Sequence, residues 1–186
     1  IPNPSSSMPL TLIGYRATGK TTLARLLAER LGWSWIDADV EIERRAGKTI
    51  ARMFAEEGEP AFRDLEVQVI ADLCRQQRLV LAAGGGAPMR PESQQAMRAA
   101  GTVVWLKALP ETIDRRMSGD ASTASRRPSL TGKNPLDEIV HLLAKREPTY
   151  RQTAHLEIDT EGKSPQAIVE EILQALPQLP SARNAT

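Results

Sequence analysis

Short apolar runs alternate along the chain with longer segments that have a helical period. Runs of four or five apolar residues are typical of buried β-strands, and strands are expected at 10–14, 33–36, 79–83, 102–106 and 156–159. Helices are expected at 21–31, about 40–76 with breaks near Gly47 and Gly58, 91–99, 110–117 and from Ser164 onward. Because the strands look apolar throughout, we expect an α/β fold with a parallel sheet covered by helices on both faces.

Local signals mark the ends of two of these helices. Four leucines (Leu23, Leu26, Leu27 and Leu31) share one face of the first helix, and Gly32 follows in the position that favours a left-handed cap. Ser164 and Pro165 form a good N-cap and first position for the last helix.

Glycines and carboxylates directly follow three of the predicted strands: 14–22, Asp37 with Asp39, and Gly84–Gly86. In open parallel sheets, ligands bind beyond the carboxyl ends of the strands. The sequence therefore predicts a ligand site at this edge of the sheet.

Composition narrows the function classes. The 186 residues suit one domain, and 24 basic against 23 acidic residues give a net charge of +1, so nothing favours a nucleic acid or an anionic membrane as partner. The single cysteine, Cys74, cannot form an internal disulfide, and a buried structural thiol is favoured over a reactive one. No apolar run approaches the ~20 residues of a membrane span and no signal peptide is visible, so we expect a soluble cytoplasmic protein. Residues 1–9, with Met8 a candidate natural start, are expected to form a disordered extension, and 177–186 a flexible tail.

Residues 14–22, GYRATGKTT, match the pattern G-x-x-x-x-G-K-[ST] at Gly14, Gly19, Lys20 and Thr21. In such a phosphate loop the backbone N–H groups and the next helix's N-terminus hold a polyphosphate. Lys20 would reach the β and γ phosphates, and the Thr21 hydroxyl would bind Mg²⁺. A nucleoside triphosphate site is favoured over a plain glycine-rich turn.

The other polar residues at the strand ends leave alternatives open. Of Asp37 and Asp39, one carboxylate could help to hold hydrated Mg²⁺ while the other orients an acceptor hydroxyl or takes its proton, although capping of the next helix is also typical of Asp. Arg63 and Arg146 are either solvated charges or a grip for an acceptor carboxylate. The glycine turn, Gly84–Gly86, would let a small ligand lie against the backbone.

The stretch 118–135 is polar and lacks periodicity. A loop of this length is either disordered filler or a lid, and the pair Arg126 and Arg127 favours a lid.

Taken together, the segments GYRATGKTT, DADVEIERRAGKTIARMFAEEGEPAFRDLE, LAAGGGA, RRPSL and AKREPTYR resemble shikimate kinase from about residue 10 to 175. The phosphate loop is shared by a large superfamily, whereas the D-x-D, F-R-x-x-E and G-G-G elements are more specific. The resemblance implies a three-layer α/β/α P-loop NTPase of the nucleoside-monophosphate-kinase type, with a five-stranded parallel sheet. It implies one domain over 10–176, with a substrate-binding region at about 37–66 and a mobile lid at about 117–135. It also implies ATP and Mg²⁺, and transfer of phosphate to the 3-hydroxyl of shikimate, a step of chorismate and aromatic amino acid biosynthesis.

The resemblance also implies roles for single residues. Lys20, Asp39 and Arg127 would be catalytic, Asp39 as the acceptor base and Arg127 as the lid arginine. Thr21 and Asp37 would serve the metal, Asp37 through water. Substrate would meet Asp39, Phe54, Phe62, Arg63, Glu66, Gly84, Gly85, Gly86 and Arg146, with ordinary core positions as the alternative for the two phenylalanines. ATP would meet Gly14, Ala17, Thr18, Gly19, Lys20, Thr21, Thr22, Arg116, Arg127, Lys163 and Pro165.

The sequence departs from the family pattern in a few places. Ala17 replaces a usual glycine, which puts the affinity for phosphates in question; the lid looks longer than usual, and Ser129 stands where leucine is common. Two alternatives to shikimate kinase are a related kinase acting on gluconate or a nucleoside monophosphate, and a non-catalytic ATP-binding module. We expect a monomer whose partners are ATP and shikimate, with neither nucleic acid nor membrane.

Overall fold

The structure is a computed structural model that describes residues 7–119 and 134–178 of the 186-residue chain. Five parallel strands form one sheet in the order β2-β3-β1-β4-β5. The strands are β1 (Leu10–Ile13), β2 (Ser34–Asp37), β3 (Leu79–Ala82), β4 (Thr102–Lys107) and β5 (Leu156–Asp159). The described ranges contain seven α-helices: α1 (Lys20–Leu31), α2 (Ala38–Ala46), α3 (Ile50–Cys74), α4 (Pro91–Ala100), α5 (Pro110–Gly119), α6 (Pro135–Thr153) and α7 (Pro165–Ala175). Short 3₁₀ turns lie at Ala87–Met89 and Leu176–Gln178.

The helices cover both faces of the sheet. Leu12 of β1 packs in a buried cluster with side chains of α1 and α7, whereas its neighbour Ile13 packs with side chains of α2, α3 and α4. This alternation follows from the two-residue period of a strand, and each fully buried aliphatic side chain contributes about 1.5–3 kcal/mol. The predicted three-layer α/β/α architecture with a five-stranded parallel sheet is confirmed.

The local helix signals act where they were expected. Gly32 ends α1 in the left-handed region with φ 66°, and its N–H donates to the carbonyl of Ala28. The Ser164 hydroxyl caps α7 by accepting the N–H of Ala167. Gly47 ends α2, and the backbone of α3 leaves helical geometry at Gly58, where φ is 83°.

The expectation that all strands are buried is wrong for the two edge strands. In β2, Ser34 is exposed and Trp35 is 38% exposed, and in β5 Glu157 and Asp159 are exposed. Each edge strand has one strand neighbour instead of two, so part of its surface stays in contact with water. The order of the strands, which the linear pattern does not contain, decides which two lie at the edges.

Helix α6 was not predicted. It begins after Asn134, whose side chain accepts the N–H of Leu136, and it continues through Pro148. The interior Pro148 is atypical of a helix, which is why the sequence did not indicate one here. The lid was expected at about 117–135. Residues 117–119 end α5, Asn134 caps α6, Pro135 is its first residue, and 120–133 lie outside the described residues.

Two further features bear on the general expectations. Cys74 lies in the core, and burial raises the pKa of its thiol to about 11, as expected for a structural thiol. Across residues 7–119 and 134–178, no helix is both long and apolar enough to cross a membrane.

Candidate active site

The phosphate loop connects β1 to α1 at the carboxyl edge of the sheet. Gly14 has φ 142°, and a Cβ there would lie 2.6 Å from the carbonyl oxygen of Leu106, so this position requires glycine. Gly19, with φ 96°, turns the chain into α1. The Lys20 ammonium donates to the carbonyl oxygens of Gly14 at 2.9 Å and Tyr15 at 2.7 Å. The lysine therefore folds back across the loop.

Ala17 adopts the left-handed backbone region with φ 60°. An L-residue with a Cβ is disfavoured there by about 1–2 kcal/mol, which explains why glycine suits this position of the loop. Arg116 of α5 donates to the Ala17 carbonyl at 3.2 Å, and the buried Thr18 hydroxyl donates to the Tyr15 carbonyl at 2.7 Å. These two contacts hold the strained part of the loop.

Asp37 joins the phosphate loop to α2. The Thr21 hydroxyl donates to Asp37 Oδ2 at 2.6 Å, while Asp37 Oδ1 accepts the N–H of Asp39 at 2.9 Å. Asp37 is thus both the N-cap of α2 and the partner of the phosphate-loop threonine. Asp39 lies in the first turn of α2, half-buried.

These oxygen donors fit a magnesium ion. Within the described ranges, no group of three or more His, Cys, Asp or Glu side chains forms a complete metal cage. Mg²⁺ is normally held by one or two carboxylates together with substrate phosphates and water, and not by such a cage. A hydroxyl and a carboxylate at the start of the phosphate-loop helix are suitable donors, and the roles of Thr21 and Asp37 stay predictions.

The glycine turn packs against the phosphate loop. A Cβ added at Gly85 would lie 3.3 Å from the Gly14 carbonyl oxygen and 3.4 Å from the backbone nitrogen of Arg16. The same position is 3.7 Å from Nη1 of Arg146, on α6. The phosphate loop, the glycine turn and Arg146, three predicted parts of the site, are therefore brought together. Gly84, two residues after β3, precedes Gly85 in the glycine turn.

Arg63 covers the next residue of the glycine turn. A Cβ at Gly86 would lie 2.5 Å from Nη2 and 2.7 Å from Cζ of Arg63. The guanidinium donates through Nη1 to Glu66 at 2.6 Å and through Nε and Nη2 to Glu59 at 3.2 and 3.1 Å. Burial by itself would lower the pKa of Arg63, but the carboxylates of Glu66 and Glu59 outweigh it and raise the pKa above its ordinary value. The arginine stays cationic.

Two phenylalanines lie beside this arginine. The ring centroids of Phe54 and Phe62 are 4.9 Å apart, and the Arg63 guanidinium carbon lies 5.0 Å from the Phe62 centroid. Phe62 is fully buried in the main core, and Phe54 packs against that core. The core interpretation therefore holds for Phe62, and a substrate contact for either ring stays a prediction.

Sequence reasoning missed four residues of the site: Tyr15, Arg16, Glu138 and Tyr150. The Arg146 guanidinium carbon lies 5.5 Å from the ring centroid of Tyr15, Arg16 pairs with the buried Glu138 at 3.6 Å, and Tyr150 donates to the Gly85 carbonyl at 2.6 Å. The segment AKREPTYR contained a signal for Tyr150, because positions four residues apart on a helix share a face.

The expected adenine contacts are only partly tied to the site. Arg116 reaches the phosphate loop, whereas Lys163 pairs with Glu171 at 2.6 Å and Pro165 begins α7. Thr22 lies exposed in the first turn of α1. Arg127, like Arg126, falls outside the described residues.

A protein-family model for shikimate kinase matches residues 16–177. The chain belongs to the shikimate kinase family. A curated shikimate kinase of Rhodopirellula baltica is 44% identical over 168 residues, covering 90% of each chain. Another, of Pseudomonas savastanoi pv. phaseolicola, is 44% identical over 171 residues, covering 92% of this chain and 97% of its own.

Solved structures agree with this membership in the shikimate kinase family. The shikimate kinase of Acinetobacter baumannii in complex with shikimate has a TM-score of 0.86 and 35% identity, with 96% of both chains covered. A gluconokinase of Sinorhizobium meliloti has a TM-score of 0.56 and 14% identity over 92% of this chain, a likeness of fold alone. The predicted family and fold class are both confirmed.

Proposed function

We propose that this protein transfers the γ-phosphoryl group of ATP to the 3-hydroxyl of shikimate, giving shikimate 3-phosphate and ADP. Membership in the shikimate kinase family supports this activity, as does the likeness to a shikimate kinase solved with shikimate. The observation that carries the proposal is the placement of Arg63 and Arg146 over adjacent glycines beside the phosphate loop.

The two arginines would bind the carboxylate of shikimate. A guanidinium donates two parallel hydrogen bonds to a carboxylate, which fixes orientation as well as position. Gly85 and Gly86 contribute no side chain, so the acceptor can lie against the backbone between the arginines and the phosphate loop. The ring would then present a hydroxyl towards the γ-phosphate.

Charge and alignment would do most of the catalytic work, because phosphoryl transfer requires little covalent participation from the protein. Lys20, which already spans the phosphate loop, would neutralise charge on the β and γ phosphates. The Thr21 hydroxyl and, through water, Asp37 would hold Mg²⁺, which would supply further positive charge to the phosphates. Asp39 would orient the attacking hydroxyl and accept its proton.

Other parts of the proposal rest on the family resemblance. Arg127 would stabilise the transferring phosphoryl group, and Arg116, Lys163 and Pro165 would flank the adenine. We also propose that the protein acts as a monomer in the cytoplasm.

The test is ADP release from Mg-ATP, measured with a coupled spectrophotometric assay with and without shikimate. We expect turnover to depend on shikimate, and gluconate or a nucleoside monophosphate to replace it poorly. Turnover that is equal with and without shikimate would refute the proposal. Arg63→Ala should raise KM for shikimate far more than KM for ATP, whereas Arg52→Ala, at an exposed arginine of the same helix, should change neither.

A further inference from the structure

Tyr150 connects α6 to the glycine turn by a buried hydrogen bond. Its side chain is fully buried, and its hydroxyl donates to the Gly85 carbonyl at 2.6 Å. The ring centroid lies 5.7 Å from that of the buried Trp105 on β4. The hydroxyl is therefore held in place by the packing of its own ring.

The residue that accepts this hydrogen bond has neighbours in two parts of the site. A Cβ at Gly85 would lie 3.3 Å from the Gly14 carbonyl oxygen and 3.4 Å from the Arg16 nitrogen of the phosphate loop, and 3.7 Å from Nη1 of Arg146. Tyr150 follows Arg146 by four residues, so both project from one face of α6. One hydrogen bond thus fixes the arginine-bearing helix to the turn that packs on the phosphate loop.

We propose that Tyr150 is a positioning residue for the acceptor. Through its hydrogen bond to the Gly85 carbonyl, Tyr150 sets the distance between Arg146 and the phosphate loop. The inference rests on the proposed function, because it assumes that Arg146 binds the carboxylate of the acceptor. Tyr150 does not touch the reacting atoms; it acts through the glycine turn and Arg146.

The matched control lies on the same helix. Thr153 is fully buried, and its hydroxyl donates to the Thr149 carbonyl at 2.7 Å, inside α6 itself. Thr153→Val removes a buried hydroxyl and its hydrogen bond without releasing the glycine turn. Tyr150→Phe removes a buried hydroxyl and keeps the ring that packs on Trp105.

We expect Tyr150→Phe to raise KM for shikimate about tenfold, equivalent to about 1.4 kcal/mol, and to leave KM for ATP within about twofold. Thr153→Val should leave both Michaelis constants within about twofold, even if its melting temperature falls as much as that of Tyr150→Phe. In an Arg146→Lys background, Tyr150→Phe should add less than about threefold to KM for shikimate, because the two residues act in series.

Other outcomes would overturn the proposal. The Tyr150 hydroxyl would be merely structural if Tyr150→Phe changed both Michaelis constants equally or changed neither. The same conclusion would follow if Thr153→Val showed the same pattern, or if the Tyr150→Phe protein were too unstable to assay at 25 °C. The proposed function fails separately, if the unaltered protein shows no shikimate-dependent turnover.

Discussion

Replacing Arg63 by Ala should weaken the fold as well as the binding of the acceptor. Arg63 donates to Glu66 at 2.6 Å, and the two side chains are 12% and 1% exposed. The substitution would leave the Glu66 carboxylate in the core without this cation.

The magnitude follows from burial. Removing one partner of a buried ion pair costs about 3–5 kcal/mol, and the lower end applies because the Arg63 side chain reaches solvent. For a chain of this length, about 3 kcal/mol corresponds to a fall in melting temperature of roughly 6–12 °C. The control, Arg52→Ala, breaks an exposed pair with Glu56 whose side chains are 66% and 40% exposed, and should cost less than about 1 kcal/mol.

The assay is urea unfolding at pH 7.5 of the parent, Arg63→Ala, Glu66→Gln and the double variant. Because the amide leaves no buried charge behind, the double variant should be at least about 1.5 kcal/mol more stable than the sum of the single effects predicts. If Arg63→Ala destabilises no more than Arg52→Ala, or if the cycle shows no coupling, the electrostatic argument is wrong.

Three further predictions concern single side chains. Asp37→Asn keeps an oxygen for capping but loses the charge near Thr21, so the Mg²⁺ concentration for half-maximal turnover should rise about tenfold. Circular dichroism should show an unchanged helix content, and an unchanged Mg²⁺ dependence would contradict the prediction. Ala17→Gly relieves left-handed backbone strain but gives the unfolded chain more conformational freedom, so the free energy of unfolding should change by less than about 1 kcal/mol. KM for ATP should fall, and a rise in KM for ATP would show that the methyl group does not crowd the phosphates. Burial raises the pKa of the Cys74 thiol from 9.0 to about 11, so as the pH rises the thiol ionises first in the unfolded chain. The free energy of unfolding should therefore fall between about pH 9 and 11. Urea unfolding should show a smaller fall in Cys74→Ala than in the parent.

The sequence predicted those features whose causes lie within a few neighbouring residues. The phosphate loop, the left-handed end of α1 at Gly32 and the Ser164 cap each depend on local backbone chemistry, which the residue types reveal directly. The parallel sheet follows from the alternation of strands and helices along the chain.

Features that depend on distant residues were not predictable in this way. The exposure of Trp35 follows from the position of β2 at the edge, which is a property of the strand order. The bond between Tyr150 and Gly85 joins positions 65 residues apart, and no local pattern encodes such a pairing. Helix α6 was missed because its interior residue Pro148 is atypical of a helix, whereas tertiary packing stabilises the helix in the fold.

The two carboxylate oxygens of Asp37 bond to two different segments of the site. Oδ2 accepts a hydrogen bond from the Thr21 hydroxyl at the start of α1, and Oδ1 accepts one from the backbone N–H of Asp39 in α2. A shift of this one carboxylate would move the phosphate-loop threonine and Asp39 together. Under the roles proposed for Thr21 and Asp39, the nucleotide and acceptor halves of the site are coupled through Asp37, and we expect a substitution there to change the kinetics of both substrates.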